Sequence, residues 1–395
     1  MAKPLDGLKV IDLTRVLAGP FSTMLLADMG AEVIKIENPR GGDDSRAFGP
    51  FKNGFSAYFI SLNRSKNGIT LNLKEERGKE IFKKLVSSAD ILVENYKPGT
   101  MKKLRLDYDV LKAVNPRLIY AASSGFGQTG PYSSRAAYDL ILQGMSGFMS
   151  ITGFDAKNPV KAGSSIADVF AGVFTAVGIL AALEHRHKTG RGQMVDVAMM
   201  DCMIATLENA IAALDCTKKA PEPIGNVHRS ISPFATFPTS DGFINVCAGN
   251  DELWRKFCET VGMKEYAADQ RFASNKGRLD NYGELSKIIA EFTSKRSTGQ
   301  WMAALEEVKV PCGPIMNLEQ VVSDPQVKAR NMIVDMEHPQ AGTFMVPGVP
   351  VKFSETPAEI SSFAPMLGEH NFEIYQRELG LSREEVEELQ KSGVI

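Results

Sequence analysis

Paired cysteines, metal-ligand spacings and a charge imbalance are all missing from this sequence. Its five cysteines (Cys202, Cys216, Cys247, Cys258 and Cys312) are scattered, none forms a C-x-x-C pair, and no histidine stands at ligand spacing from one. Neither a zinc site nor a disulfide framework is expected, and free thiols fit a reducing cytoplasm. The net charge of −2 over 395 residues gives no electrostatic case for nucleic acid or an anionic membrane. An anionic ligand must then be met by local basic residues. The start of the chain, Met1-Ala2-Lys3-Pro4-Leu5-Asp6-Gly7, has no apolar signal region, so a cytoplasmic location is expected. Low-complexity tracts and internal repeats are also missing.

What is present is a soluble, two-domain composition: 44% hydrophobic and 23% charged residues, on a chain long for one core. Short β-branched runs at 9–13, 32–37, 69–73, 90–94, 118–122 and 194–197 alternate with helical stretches, including 21–29, 75–88 and 108–114. Such alternation predicts a parallel sheet with helices on both faces, and ligands at the carboxyl ends of its strands. A helix over 200–214 closes the large unit, and Ala220-Pro221-Glu222-Pro223 marks a boundary. Beyond it, a hairpin turning at Ser240-Asp241-Gly242 and helices over 252–261, 282–293 and 298–308 make a smaller α+β domain. From about Met332 the chain is again rich in Pro and Gly, and it ends in a helix over 383–391. The domains are set at 1–218, 219–327 and a return segment 328–395.

Gly125-Phe126-Gly127-Gln128-Thr129-Gly130 is formally a dinucleotide fingerprint, but Pro131 and a polar run follow instead of a helix. Nicotinamide or flavin binding is disfavoured, because the phosphate needs that helix start. The glycines read better as room for close backbone approach to a bulky ligand. Basic residues gather in loops after strands: Arg15, Arg40, Arg46, Arg64, Lys66, Lys97, Lys102, Lys103 and Arg105. Each alone is an ordinary solvated cation, but several fall on the rim where a phosphorylated ligand would sit. Arg15 and Arg46 stand out beside turn residues. His185 and His187 close a helix, a structural role, whereas His228 sits in a polar junction loop of the kind that touches ligand.

Asp168 is the most informative residue. It is the only ionisable side chain from Ile166 to Leu183, among Ala, Gly, Val, Ile, Leu, Phe and Thr. A carboxylate there loses hydration unless helix-start N–H groups compensate, and it could then serve as a desolvated nucleophile. Two plainer readings compete: Ser165-x-x-Asp168 has capping-box spacing, and the stretch approaches membrane-spanning length. A buried core helix fits better than a span, since no second hydrophobic stretch exists.

Several segments together resemble the class III (family III) CoA-transferases over essentially the whole chain. They include Pro4-Leu5-Asp6-Gly7, Ala18-Gly19-Pro20, Gly30-Ala31-Glu32-Val33, Val93-Glu94-Asn95-Tyr96, Gly127-Gln128-Thr129-Gly130-Pro131, Thr189-Gly190-Arg191-Gly192-Gln193, Pro311-Cys312-Gly313-Pro314 and Leu367-Gly368-Glu369-His370. The resemblance implies a Rossmann-like parallel-sheet large domain plus a smaller α+β domain, in an interlocked homodimer. It implies Asp168 as the nucleophile and CoA contacts at Arg15, Ala18, Arg40, Leu71, Lys74, Asn95, Tyr96 and Lys103. Arg46, Gly127, Gln128, Tyr138, Asp139 and His228 are candidate substrate or oxyanion residues. Coenzyme A enters as substrate, with no tightly bound cofactor and no metal. Partners are an acyl-CoA and a carboxylic acid, with no nucleic acid and no membrane.

Two departures qualify the likeness. No glycine-rich run like the mobile loop of some members lies between Phe234 and Val261. Tyr138 stands where the racemase branch has a His, and an unperturbed pKa of about 10 makes it a poor base. Asp43-Asp44-Ser45-Arg46, His228-Arg229-Ser230 and Met336-Glu337-His338-Pro339 are similar to the branch that activates succinate and glutarate. A CoA-dependent racemase or isomerase and a non-catalytic acyl-CoA binder are the alternatives to transfer.

Overall fold

The computed structural model describes residues 2–338 and 340–395, so Pro339 of the Met336 motif lies outside the described residues. The chain forms two compact units, one of residues 1–149, 161–220 and 325–395, the other of 150–160 and 221–324. Residues 150–160, assigned from the sequence to the larger segment, group instead with the second unit. Gly153 O accepts the Gly225 N–H at 2.7 Å, and the Phe154 ring lies where a side chain on Gly225 would be.

The first unit is built on a six-stranded sheet in the order Lys66–Thr70, Glu32–Glu37, Lys9–Asp12, Ile91–Glu94, Ile119–Ser124, Met194–Ala198. Every neighbouring pair is parallel. Mixed α/β architecture with a parallel sheet is therefore the observed class. Central strands such as Ile91–Glu94 are buried at every position, which explains their unbroken apolar runs. The strand order reverses between Lys9–Asp12 and Ile91–Glu94, so a crevice opens beyond the carboxyl ends of those two strands.

The third strand runs three residues earlier than its apolar pattern suggests. Lys66 enters it because its ammonium is buried against Asp12, while Leu71 has left it and turns back onto Glu37 O. The helix expected over 200–214 is two, Met199–Ala205 and Glu208–Thr217. The Pro/Gly-rich return segment holds an unforeseen hairpin, Ile333–His338 with Gly342–Pro347. Its helix Asn371–Leu379 then docks on the edge strand, where the Asn371 carboxamide and the Tyr375 hydroxyl bond both backbone groups of Thr70 at 2.8 and 2.7 Å.

Among the described residues one helix, Ile166–Thr189, is long and apolar enough by composition to cross a membrane. Its Ala167, Ala171, Gly172, Thr175, Ala176, Ile179 and Leu183 are buried within the first unit, while Val173, Phe174, Val177 and Leu180 are exposed. It is a core helix on one face only.

The second unit pairs Phe234–Pro238, Phe243–Cys247 and Cys312–Pro314 in one antiparallel sheet. Helices Asp251–Val261, Tyr282–Thr293 and Thr298–Glu307 cover a core that includes Trp254, Phe257, Phe272 and Trp301.

Candidate active site

Asp168 occupies the first turn of the Ile166–Thr189 helix. The capping box suggested by Ser165 is not formed, since the Ser165 side chain makes no capping bond. Asp139 caps in its place: its Oδ1 accepts the Ala167 N–H at 2.9 Å, and its Oδ2 accepts from Gln143 Nε2 at 2.6 Å. The buried Gln143 accepts the Ala162 N–H at 2.8 Å, fixing the approach to the helix. With the capping role filled by another acid, Asp168 is left free for chemistry.

The backbone N–H of Ala18 lies near enough to the Asp168 carboxyl to favour its ionised form. Ala18 opens the Ala18–Asp28 helix, and Leu17 before it supplies no capping side chain, so this N–H is one of the helix's orphan donors. The two helix starts meet because Gly172 lies one turn beyond Asp168. A Cβ there would stand 2.8 Å from Ala18 O and 2.9 Å from the Phe21 ring. Burial, then the neighbouring Asp139 charge, pushes Asp168 up to about 7, against the pull of the Ala18 N–H. It is thus a poorly solvated acid beside the start of a second helix.

The loop carrying Ala18 rests on buried charges. Asp12 accepts from Thr14 N at 2.8 Å, Thr14 Oγ1 at 2.5 Å, Thr23 Oγ1 at 2.7 Å and Lys66 Nζ at 3.0 Å. Burial alone would raise the Asp12 pKa, but the Lys66 and Lys35 charges reverse that and hold it low. Lys66 also donates to Pro20 O at 3.1 Å and Asn63 Oδ1 at 2.9 Å. Val16 in this loop has φ 66°, a left-handed conformation that strains a β-branched residue by roughly 1–3 kcal/mol.

Beside the loop, a cleft of about 540 Å³ opens at the strand ends of the first unit. Arg15, Arg40, Leu71, Lys74 and Tyr96 line it, as do Asn72 and Lys97. Arg15 pairs with Asp44 at its rim. Arg40 and Lys74 are exposed cations on the wall, and the Leu71 side chain is buried in its floor. A groove with an apolar floor and a cationic rim suits an adenine nucleotide with phosphates.

The model of CoA-transferase family III matches residues 5–371. The succinate–glutarate CoA-transferase of Agrobacterium fabrum is 43% identical over 94% of this chain and 94% of its own length. The acetyl-CoA:oxalate CoA-transferase of Acetobacter aceti is 44% identical over 89% of each chain. Among solved structures, a CAIB/BAIF family protein from Brucella suis superposes with a TM-score of 0.86, at 40% identity, over 96% of this chain and all of the other. The chain belongs to CoA-transferase family III. It is accordingly a CoA-transferase, and CoA thioesters are its substrates.

Within that family frame, several residues singled out from the sequence are otherwise employed. The Arg46 guanidinium forks onto Glu37 with two 2.7 Å bonds and lies 3.7 Å from the Phe59 ring centroid. The Asn95 carboxamide bonds Arg15 N and Arg15 O, each at 2.8 Å, so it fastens the first loop. Lys103 is exposed on the Thr100–Leu104 helix and lies outside the cleft lining, where Lys97 stands instead. The Gly127 N–H goes to Ser124 Oγ at 3.1 Å and the Gln128 N–H to Asp196 at 3.0 Å. Those two N–H groups are therefore engaged within the loop and its neighbouring strand. Tyr138 precedes the Asp139–Met145 helix and is largely exposed.

His228 belongs to the second unit, where with Phe234 and Thr236 it lines a cavity of about 580 Å³. His338 is structural: its ring packs on Phe55 and Phe363, and its Nδ1 accepts the Ala341 N–H at 3.0 Å. Sequence reasoning missed Tyr58 on the Ala57–Asn63 helix. Burial and the nearby Asp168 and Asp139 charges push its hydroxyl up to about 12, so it stays neutral. No spacing signal marks it, because it reaches Asp168 only through the tertiary fold.

Proposed function

We propose that this chain moves CoA from succinyl-CoA, or a related acyl-CoA, to a small dicarboxylic acid such as glutarate through a covalent intermediate on Asp168. One observation carries the reading: a buried carboxyl pushed up to about 7, beside the start of the Ala18 helix, in the unit that also carries the cationic cleft. Asp168 attacks the thioester carbonyl, giving a mixed anhydride and CoA thiolate. The thiolate attacks the aspartyl carbonyl, forming an enzyme–CoA thioester and releasing the donor acid. The acceptor carboxylate then repeats both steps in reverse. Each pair of steps passes through an anhydride but exchanges one thioester for another of similar energy, so neither ATP nor a net proton transfer is required.

The Ala18 N–H, which favours negative charge on Asp168, suits the step in which thiolate attack on the aspartyl carbonyl returns charge to an Asp168 oxygen. Arg40, Lys74 and Lys97 on the cleft wall suit the CoA phosphates. The relatives named for succinate and glutarate support the acid pair. The exposed apolar face of Val173, Phe174, Val177 and Leu180 supports a homodimer, interlocked as the family resemblance implies. Incubation with succinyl-CoA and glutarate, with mass detection of glutaryl-CoA, tests the reading. Wild type should produce it and Asp168→Ala should not, while both still bind CoA.

A further inference from the structure

The turn that delivers Ala18 is held by groups sealed from water. Lys35 and Asp43 have no side-chain exposure and pair at 2.9 Å. Lys35 Nζ also donates to Thr14 O at 2.9 Å, and Asp43 Oδ1 accepts the Val16 N–H at 3.1 Å. Asp43 Oδ1 further accepts Ser45 N and Ser45 Oγ, at 2.9 and 2.8 Å. Val16, between these tethers, keeps φ at 66°. A strained residue of that kind relaxes unless its surroundings over-determine it. Two residues later comes Ala18, which lies against the Asp168 helix at Gly172 and whose N–H favours charge on Asp168.

We infer that Asp43, with Lys35 behind it, is a positioning residue for CoA transfer: it pins the strained Val16 turn so that the Ala18 N–H stays aimed at Asp168. The inference rests on Asp168 being the nucleophile. Asp43 borders the cleft, but its carboxylate oxygens are taken up by Val16, Lys35 and Ser45. Its effect must therefore fall on the bond-forming steps, where oxyanion stabilisation needs the donor in place, more than on binding in the cleft.

Asp43→Asn tests this, because it replaces one of two acceptor oxygens with an NH2 donor, so that the Lys35 ammonium and the Val16 N–H can no longer both find their acceptors. The expected result is a kcat about 10- to 100-fold lower with the KM for acyl-CoA within about threefold. Adding Val16→Gly should restore at least about tenfold of the loss, since glycine takes a positive φ without strain. A folded Asp43→Asn enzyme with wild-type kcat, or a loss that Val16→Gly does not rescue, overturns the inference. Should Asp43→Asn fail to fold, Val16→Pro carries the same test. Proline forces φ to about −65°, so turnover should collapse, and wild-type turnover would overturn the inference. Transfer that survives Asp168→Ala would remove the nucleophile assignment itself. Asp168-dependent transfer that ignores Asp43 would remove only the positioning role.

Discussion

Replacing Asp168 by Asn should abolish transfer and yet stabilise the protein, by an amount that depends on pH. Burial and the Asp139 charge raise the carboxyl from its ordinary 3.8 to about 7. Below pH 3.8 both folded and unfolded chains hold the proton, and nothing is lost. Between 3.8 and about 7 the unfolded chain releases it while the folded chain keeps it, so wild-type stability falls as pH rises. Above about 7 the loss is complete. At 1.36 kcal/mol per pH unit the ceiling is about 4 kcal/mol. Partial solvent access and screening reduce this to about 2–3 kcal/mol. At roughly 2.1 cal/mol/K of unfolding entropy per residue, a chain of this length gains about 3 °C in Tm. Thermal melts of both proteins from pH 4 to pH 8 should show Asp168→Asn drawing ahead as pH rises. A Tm difference that does not change with pH, or an Asn variant less stable at pH 8, would refute the electrostatic reasoning.

Gly172→Ala puts a methyl against Ala18 O at the point where the two helix starts meet. It should lower kcat at least about tenfold in steady-state assays. Arg40→Ala should raise the KM for acyl-CoA about tenfold with kcat nearly unchanged, and the effect should shrink at high salt. Lys66→Met leaves Asp12 fully buried with one cation fewer. Denaturant unfolding should then show a loss of about 3–5 kcal/mol, and a loss below about 1 kcal/mol would contradict the central place given to that pair.

The alternation of β-branched and helical runs made the parallel sheet legible, because central strands buried on both faces must be apolar. The third strand was misplaced because it takes in Lys66, which reads as a solvated cation until Asp12 is seen beside it. The Ile333–His338 hairpin hid behind Pro and Gly for the same reason: pairing across a turn is not a local property. Asp168 stood out as a lone acid in an apolar run, and the cleft cations as basic residues after strands. Arg46 and Asn95 show the limit. Each has the right side chain near the right loop, but hydrogen bonds to Glu37 and to the Arg15 backbone engage it. Only the fold shows that Asp139, not Ser165, caps the long helix and so frees Asp168.

The most direct measurement is mass spectrometry of the enzyme quenched during turnover with succinyl-CoA, with and without hydroxylamine. The account predicts a CoA-sized mass on the peptide bearing Asp168, removed by hydroxylamine and missing in Asp168→Ala. Turnover with no adduct on that peptide, or with an adduct on another residue, would contradict it.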